Sequence, residues 1–139
     1  MQLSTRARYA VRAMIELSIR YGEGPVLLKD VAHEQEISDK YLEQLLAPLR
    51  AKGFIHTIRG NKGGYVLAKP PEEISLYDVI EVVEGSLAPV SCVDNPGVCG
   101  RLDRCVTRKV WSNVKARIKE ELEAVDLATL AREQKELTC

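Results

Sequence analysis

Three helical patterns followed directly by a two-stranded hairpin are the feature that most limits the fold of this chain. The patterns cover residues 5–21, 27–37 and 39–53, and each places apolar residues at three- and four-residue spacing on one face. Residues 54–69 then form two short β-branched or aromatic runs around a glycine-rich, basic turn. This order predicts a mainly α-helical chain with a winged helix-turn-helix domain. In such a domain the third helix enters a DNA major groove, and the hairpin, or wing, reaches the adjacent backbone or minor groove.

Capping and breaking residues set the expected ends of these elements. Ser38 is suited to cap the third helix at its N-terminus, and Gly53 is suited to end it. Pro48 lies inside the same helix and should kink or shorten it, because proline lacks a backbone N–H and its ring crowds the preceding turn. A fourth helix is expected to open at Ser75, in "SLYDVIEVVEG".

The length of 139 residues suits one small domain, or a small domain with an appendage. The chain shows neither a secretory leader pattern nor an apolar run long enough to span a membrane, so we expect a cytoplasmic protein without a membrane partner. We expect a winged-helix region at 1–85 with its wing at 54–69, a cysteine-rich loop at 86–102, and C-terminal helices at 103–139.

An apolar residue recurs every four positions in the C-terminal part of the chain. The stripe consists of Val106, Val110, Val114, Ile118 and Leu122. This spacing predicts a long helix, and the little chain that follows is too short to cover its apolar face. We therefore expect a second copy of the chain to bury that face in a homodimer.

The segment "CVDNPGVCGRLDRC" holds Cys92, Cys99 and Cys105, three of the four cysteines of the chain. In a reducing compartment, clustered thiols suggest a metal site, reactivity or burial more than permanent disulfides. A flexible loop of this kind can fold three thiolates around an iron-sulfur cluster. Structural zinc is the second possibility, although the short Cys-x2–4-Cys spacing typical of zinc is missing. Reactive or simply buried thiols are the third.

The charge of the chain is zero in total but uneven along its length. Residues 1–69 hold 11 Lys and Arg against 7 Asp and Glu, a balance of +4, whereas residues 70–139 hold 9 against 13, a balance of −4. A basic first half suits an anionic partner such as double-stranded DNA. The candidate DNA contacts are Ser38, Lys40, Tyr41 and Gln44 on the third helix, and Arg59 and Lys62 on the wing.

An enzyme is the least expected class. The sequence shows no paired carboxylates, no nucleophile and base set, and no phosphate-binding loop. "GNKGGY" lacks the Lys-Ser/Thr ending of a Walker motif and lies in a hairpin, not before a helix.

Four segments carry a resemblance to a known family: "MQLSTRARYAVRAM", "SDKYLEQLLAPLRAKGFI", "IRGNKGGYVLAKP" and "YDVIEVVEG". Together they resemble the bacterial Rrf-type winged helix-turn-helix regulators, the family of IscR, NsrR and CymR. The combination of "YLEQL" with "RG" and "GGY" is specific to this group, and the likeness extends over essentially the whole chain.

The resemblance implies a homodimer, held by the long helix, that binds partly palindromic promoter DNA. By position it marks Tyr41, Gln44 and Arg59 as DNA contacts. In the cluster-binding members, three loop cysteines in this place hold a cluster, usually 2Fe-2S, while the fourth ligand differs between members. In IscR that ligand is a histidine three residues after the third cysteine. Here the position is Arg108, which has no free lone pair to offer a metal.

The fourth ligand is therefore open. We expect Glu43 first. Its carboxylate lies on the third helix, where a negative charge that faces polyanionic DNA is unfavourable unless it reads a base or is engaged elsewhere. The remaining candidates are Asp94, Asp103, His33, His56 and Cys139.

The expected function is a repressor-type transcription regulator whose iron-sulfur cluster, 2Fe-2S by resemblance, modulates DNA binding. The alternatives are a regulator of the same family that responds to cysteine status or nitric oxide, and an iron-sulfur carrier.

Overall fold

The computed structural model of the chain describes residues 2–138, with Thr138 described by its backbone alone. In chain order its main elements are α1 (Thr5–Ile19), α2 (Leu28–Gln35), α3 (Asp39–Ala51), β1 (Ile55–Ile58), β2 (Gly64–Leu67), α4 (Leu76–Glu84), α5 (Val106–Glu123) and α6 (Leu127–Thr138). Short 3-10 turns occupy Pro71–Glu73, Ser91–Val93, Pro96–Val98 and Leu102–Arg104. The mainly helical class and the order of three helices, a hairpin and a fourth helix are confirmed.

Side-chain caps define where the helices begin. The Ser38 hydroxyl accepts a hydrogen bond from the Tyr41 N–H at 3.1 Å, as the sequence predicts for the start of α3. Ser75 and Asp78 form a reciprocal capping box at the start of α4. These bonds satisfy N–H groups that a helix leaves unpaired in its first turn.

Pro48 does not shorten α3. The helix continues three residues past it to Ala51, and the Lys52 N–H then bonds to the Pro48 carbonyl at 3.1 Å. Pro48 lies in the last turns of α3, so the hydrogen bond that its missing N–H would have made is lost close to the end of the helix.

The wing is a two-stranded antiparallel hairpin with a fixed register. Ile55 pairs with Leu67, and Ile58 pairs with Gly64. Val26 joins the outer edge of β2 through two hydrogen bonds with Tyr65, of 2.9 and 2.8 Å. Gly64 lies so close to this edge that a Cβ atom there would meet the Val26 carbonyl oxygen at 2.3 Å. The close approach explains why a glycine is present at this position.

The core lies between α1, α2, α3, α4 and α6. Its largest fully buried side chains are Met14, Leu17, Leu42, Leu46, Leu49, Ile55, Ile74, Ile80 and Leu127, together with Val31 and Val79. The turn before α6 is tied to the start of α4, since the Leu76 N–H bonds to the Val125 carbonyl and the Leu127 N–H to the Ile74 carbonyl. The last helix is thus part of the same core as the first four, and it packs against α1.

The long helix α5 is confirmed, beginning at Val106. None of its 18 residues is buried, and Val106 and Val110 expose 80% and 49% of their surface. Its N-terminal apolar stripe therefore faces away from the rest of the described chain. Among residues 2–138 no helix has the length and apolar character needed to cross a bilayer.

Candidate DNA interface and cysteine loop

The predicted DNA contacts on α3 lie in its first two turns. Ser38, Lys40 and Gln44 are exposed, and Tyr41 is half-buried. Leu42, Leu45, Leu46 and Leu49 on the opposite side of the helix are all buried. The sequence pattern thus separates one face that anchors the helix from another that is free to enter a groove.

The predicted wing contacts lie at the tip of the hairpin. Arg59 and Lys62 are both exposed in the turn between β1 and β2. Gly60 adopts a φ of 111°, which is favourable for glycine, and its carbonyl accepts a bond from the Gly63 N–H at 3.0 Å. Because α3 packs against β1, the helix and the wing belong to one unit. Two basic side chains on a narrow tip suit a phosphate backbone or a minor groove.

Two aromatic rings meet behind the α3 face. The Tyr9 and Tyr41 rings are edge-to-face, with centroids 6.2 Å apart and an angle of 78° between their planes. The Arg12 guanidinium lies 4.9 Å from the centroid of the Tyr9 ring. No motif of the sequence indicates this stack, because α1 carries Tyr9 and Arg12 at the edge of an ordinary amphipathic pattern.

The cysteine loop joins α4 to α5 through three successive 3-10 turns. Cys92, Cys99 and Cys105 are half-buried free thiols. Cys105 directly precedes α5, and its sulfur lies 3.1 Å from the Thr107 hydroxyl. That hydrogen bond is the largest of several effects, the charge of Arg101 among them, that lower the pKa of the Cys105 thiol. Thiolate, the form that binds metals, is favoured there.

The first half of the loop is attached to α5. Lys115 forms an ion pair with Asp94, which also accepts a hydrogen bond from the Ser86 hydroxyl. Seven residues before Lys115, the Arg108 Nε donates to the Cys92 carbonyl at 3.4 Å. These contacts hold the Cys92 end of the loop against the helix, and they engage the carboxylate of one candidate ligand.

The three thiols suit an iron-sulfur cluster in chemical type but are one ligand short. Within residues 2–138 no three His, Cys, Asp or Glu side chains are gathered closely enough to hold a metal ion. The structure therefore does not bring Cys92, Cys99 and Cys105 together. Ligation requires the loop to rearrange, since metal binding and local ordering are coupled when a site is not preformed.

The candidate fourth ligands are dispersed. Glu43 is exposed on α3. Burial of the Tyr65 hydroxyl on β2 is the largest cause that raises the pKa of Tyr65, and the negative charge of Glu43 is the second. The Glu43 carboxylate therefore lies near the wing. Asp103 is exposed in the turn before α5, and His33 and His56 are exposed on α2 and β1. Cys139 lies outside the described residues.

Comparison with known proteins identifies the family. A family described as "Rrf2: Iron-dependent Transcriptional regulator" matches residues 3–133. CymR of Bacillus subtilis (strain 168), an HTH-type transcriptional regulator, is 39% identical over 131 residues, which cover 94% of this chain and 90% of CymR. IscR of Serratia proteamaculans (strain 568), also an HTH-type transcriptional regulator, is 40% identical over 134 residues, which cover 96% of this chain and 81% of IscR.

Solved structures agree with the sequence relatives. IscR of T. potens has a TM-score of 0.80 at 39% identity, with 100% of this chain and 92% of that chain covered. CymR, described as the global cysteine regulator of B. subtilis, has a TM-score of 0.79 at 38% identity, with 96% and 98% covered. The winged-helix fold and the non-enzymatic class are confirmed by these relatives. The chain belongs to the Rrf2 family of DNA-binding transcriptional regulators.

Proposed function

We propose that this chain is a homodimeric, repressor-type regulator that reads double-stranded promoter DNA with α3 and the wing. Its DNA binding responds to an iron-sulfur cluster held by Cys92, Cys99 and Cys105. The observation that carries this function is the placement of three free thiols on one loop that is attached to α5. Names of relatives alone support both an iron-sulfur regulator and a cysteine regulator.

The DNA-reading role is supported by the chemistry and exposure of the α3 face. The Gln44 amide can donate to and accept from the edge of adenine, while Lys40 and Tyr41 suit phosphate oxygens and Ser38 suits either a base or a phosphate. Arg59 and Lys62 extend the basic surface to the wing tip. Contacts to the DNA phosphates position the protein on the duplex, and the contact of Gln44 with a base gives sequence preference.

The homodimer is supported by the exposed N-terminal part of the apolar stripe of α5. Val106 and Val110 expose 80% and 49% of their surface, and Trp111 beside them exposes 37%. Exposed apolar surface in a continuous strip marks a protein interface. A two-fold pair of α5 helices would carry two α3 helices to successive major grooves, about 34 Å apart on B-DNA.

The sensing role is supported by the donor set. When bound, a 2Fe-2S cluster supplies reversible electron transfer and an oxidant-sensitive metal centre. The loop thiols hold it, with Glu43 as the fourth ligand that we propose. Arg108 and Lys115 attach the loop to α5, so a rearrangement of the loop changes the contacts of the helix that sets the spacing of the dimer.

Anaerobic reconstitution with ferrous iron and sulfide tests this function. Wild-type protein should gain visible absorbance with bound iron and sulfide, and Cys92→Ala, Cys99→Ala and Cys105→Ala should each lose it. Cys139→Ala, at the remaining cysteine, should keep it, because we propose Glu43 and not Cys139 as the fourth ligand. Colourless wild-type protein after reconstitution would eliminate the iron-sulfur function. Glu43→Ala should alter the spectrum and shorten the lifetime of the cluster, and an unchanged spectrum and lifetime would reject Glu43 as a ligand.

A second candidate is a regulator that responds to cysteine status or nitric oxide without a resident cluster. The separation of the three thiols in the described chain and the similarity to CymR favour it. An iron-sulfur carrier would leave the α3 face and the wing without a role, and gel retardation with genomic fragments distinguishes a carrier from a regulator.

A further inference from the structure

We propose, on the basis of the DNA-reading role of Tyr41 given above, that Tyr9 and Arg12 are positioning residues for Tyr41. In this arrangement DNA affinity depends on a side-chain stack on α1 that does not itself contact DNA.

Tyr41 differs from the other proposed contacts in its surroundings. Ser38, Lys40 and Gln44 are exposed, whereas Tyr41 is half-buried and its ring rests against Tyr9 of α1. The interplanar angle of 78° and centroid distance of 6.2 Å fall within the edge-to-face geometry that aromatic pairs prefer. Tyr9 thus supports one specific orientation of the Tyr41 ring at the start of α3.

Arg12 is the second side chain in contact with the Tyr9 ring. Tyr9 and Arg12 are three residues apart on α1, a spacing that places them on the same face of a helix. The guanidinium carbon lies 4.9 Å from the Tyr9 ring centroid, within the range of a cation–π contact. The Arg12 Nε also donates to the Gln35 Oε1 at 2.7 Å. Gln35 is the last residue of α2, just before the turn to Ser38. The stack therefore connects all three helices of the helix-turn-helix unit.

The stack should raise DNA affinity by ordering Tyr41 before DNA arrives. Fixing one flexible side chain at an interface weakens binding by about threefold to tenfold relative to a side chain already in place. Without Tyr9, the Tyr41 side chain would have to become ordered during DNA binding, which weakens the affinity. A change in DNA affinity without a change in the number of phosphate contacts is the expected signature.

The experiment uses the full chain and a duplex that the wild-type protein selects from a random pool. Tyr9→Leu should weaken binding to this duplex by about threefold to tenfold, while Tyr9→Phe, which keeps the ring, should bind like wild type. Tyr21→Leu is the matched control, because Tyr21 follows α1 and exposes 47% of its surface. It should leave DNA affinity unchanged.

A double-mutant cycle separates positioning from general destabilisation. The loss caused by Tyr9→Leu should disappear in a Tyr41→Ala background, whereas an effect on folding would persist there. Arg12→Met tests the same chain of contacts at an exposed residue if Tyr9→Leu fails to fold. It should weaken binding less than Tyr9→Leu and also only when Tyr41 is present.

Salt dependence distinguishes positioning from direct phosphate contact by Arg12. A lost phosphate contact lowers the slope of log affinity against log salt by about one, whereas loss of positioning leaves the slope unchanged. Three results would overturn the positioning role: wild-type affinity in Arg12→Met and Tyr9→Leu, equal losses with and without Tyr41, or a reduced slope in Arg12→Met. Wild-type affinity of Tyr41→Ala would instead refute the DNA contact at Tyr41, and the positioning role with it.

Discussion

Lys115 of α5 and Asp94 of the cysteine loop form an ion pair, with 2.5 Å between Nζ and Oδ1. Together with the bond from Arg108 to the Cys92 carbonyl, it fixes one end of the loop to two points on the same helix. The segment around Cys99 has local bonds instead, such as that from the Gly97 N–H to the Asn95 side chain. The loop thus has one end anchored on α5 and a second part held mainly by its own turns.

Lys115→Met should loosen the anchored end of the loop. Hydrogen exchange at the amides of residues 91–95 should speed up, because their attachment to α5 is weakened. Thermal stability should change little, since this ion pair is partly exposed. Lys109→Met, at an exposed residue of α5, is the control. Equal exchange rates in all three proteins would show that the ion pair does not hold the loop.

Val110→Asp should convert the proposed dimer to a monomer, because it places a charge in the apolar stripe of α5. Ala116→Asp adds the same charge at an exposed position on the other side of the helix and should remain dimeric. Sedimentation equilibrium measures both. A dimer of wild-type stability in Val110→Asp would exclude this face from the interface.

Glu36→Gly should stabilise the fold by about 0.5–1 kcal/mol. Glu36 ends α2 with a φ of 57°, a left-handed conformation that is unfavourable for residues with a Cβ atom and favourable for glycine. Gly53→Ala, at a φ of 83°, should change stability in the opposite direction. Urea denaturation gives both values, and a destabilised Glu36→Gly protein would show that the Glu36 side chain matters more than the strain.

Acid should remove a contact between the two ends of the winged-helix core. Two hydrogen bonds from Ser4 hold the pKa of Glu84 below its ordinary value of 4.5. The larger effect comes from the Ser4 hydroxyl and the smaller from the Ser4 backbone N–H, which lies 2.8 Å from Oε1. A carboxylate with a lowered folded-state pKa adds stability above its unfolded pKa, and this stability is lost as the pH falls through the folded pKa.

Wild-type protein should therefore lose more stability than Glu84→Gln when the pH falls from about 6 to about 3, by on the order of 1 kcal/mol. Glu72→Gln, at an exposed residue, should follow wild type. The measurement is the free energy of unfolding at each pH. Parallel curves for wild type and Glu84→Gln would contradict the effect.

Local patterns were sufficient to predict α3, and long-range packing was not predictable from them. The leucine spacing of α3 and the cap at Ser38 depend on residues within a few positions of each other. The Tyr9–Tyr41 contact depends on the angle at which α1 crosses α3, which no local pattern specifies. Likewise, the amphipathic pattern of α6 indicates a helix but not that Leu127 packs in the same core as α1.

The cysteine loop was predictable as irregular, but its attachment was not. Glycine, proline and asparagine between the cysteines indicate turns, and the structure has three 3-10 turns there. The contacts of Asp94 and Arg108 depend on how the loop lies against α5. The sequence identifies the three candidate thiols, while the distances between their sulfur atoms depend on the loop conformation.

The most direct measurement of the central claim is the DNA affinity of the same wild-type preparation before and after anaerobic reconstitution with iron and sulfide, at fixed salt. A duplex selected by each form serves as the probe, and the Cys99→Ala protein is treated in parallel. We predict that the two wild-type forms differ in affinity or in selected sequence, and that Cys99→Ala shows no difference. Identical affinity and sequence preference for reconstituted and apo wild-type protein would contradict an iron-sulfur-responsive regulator.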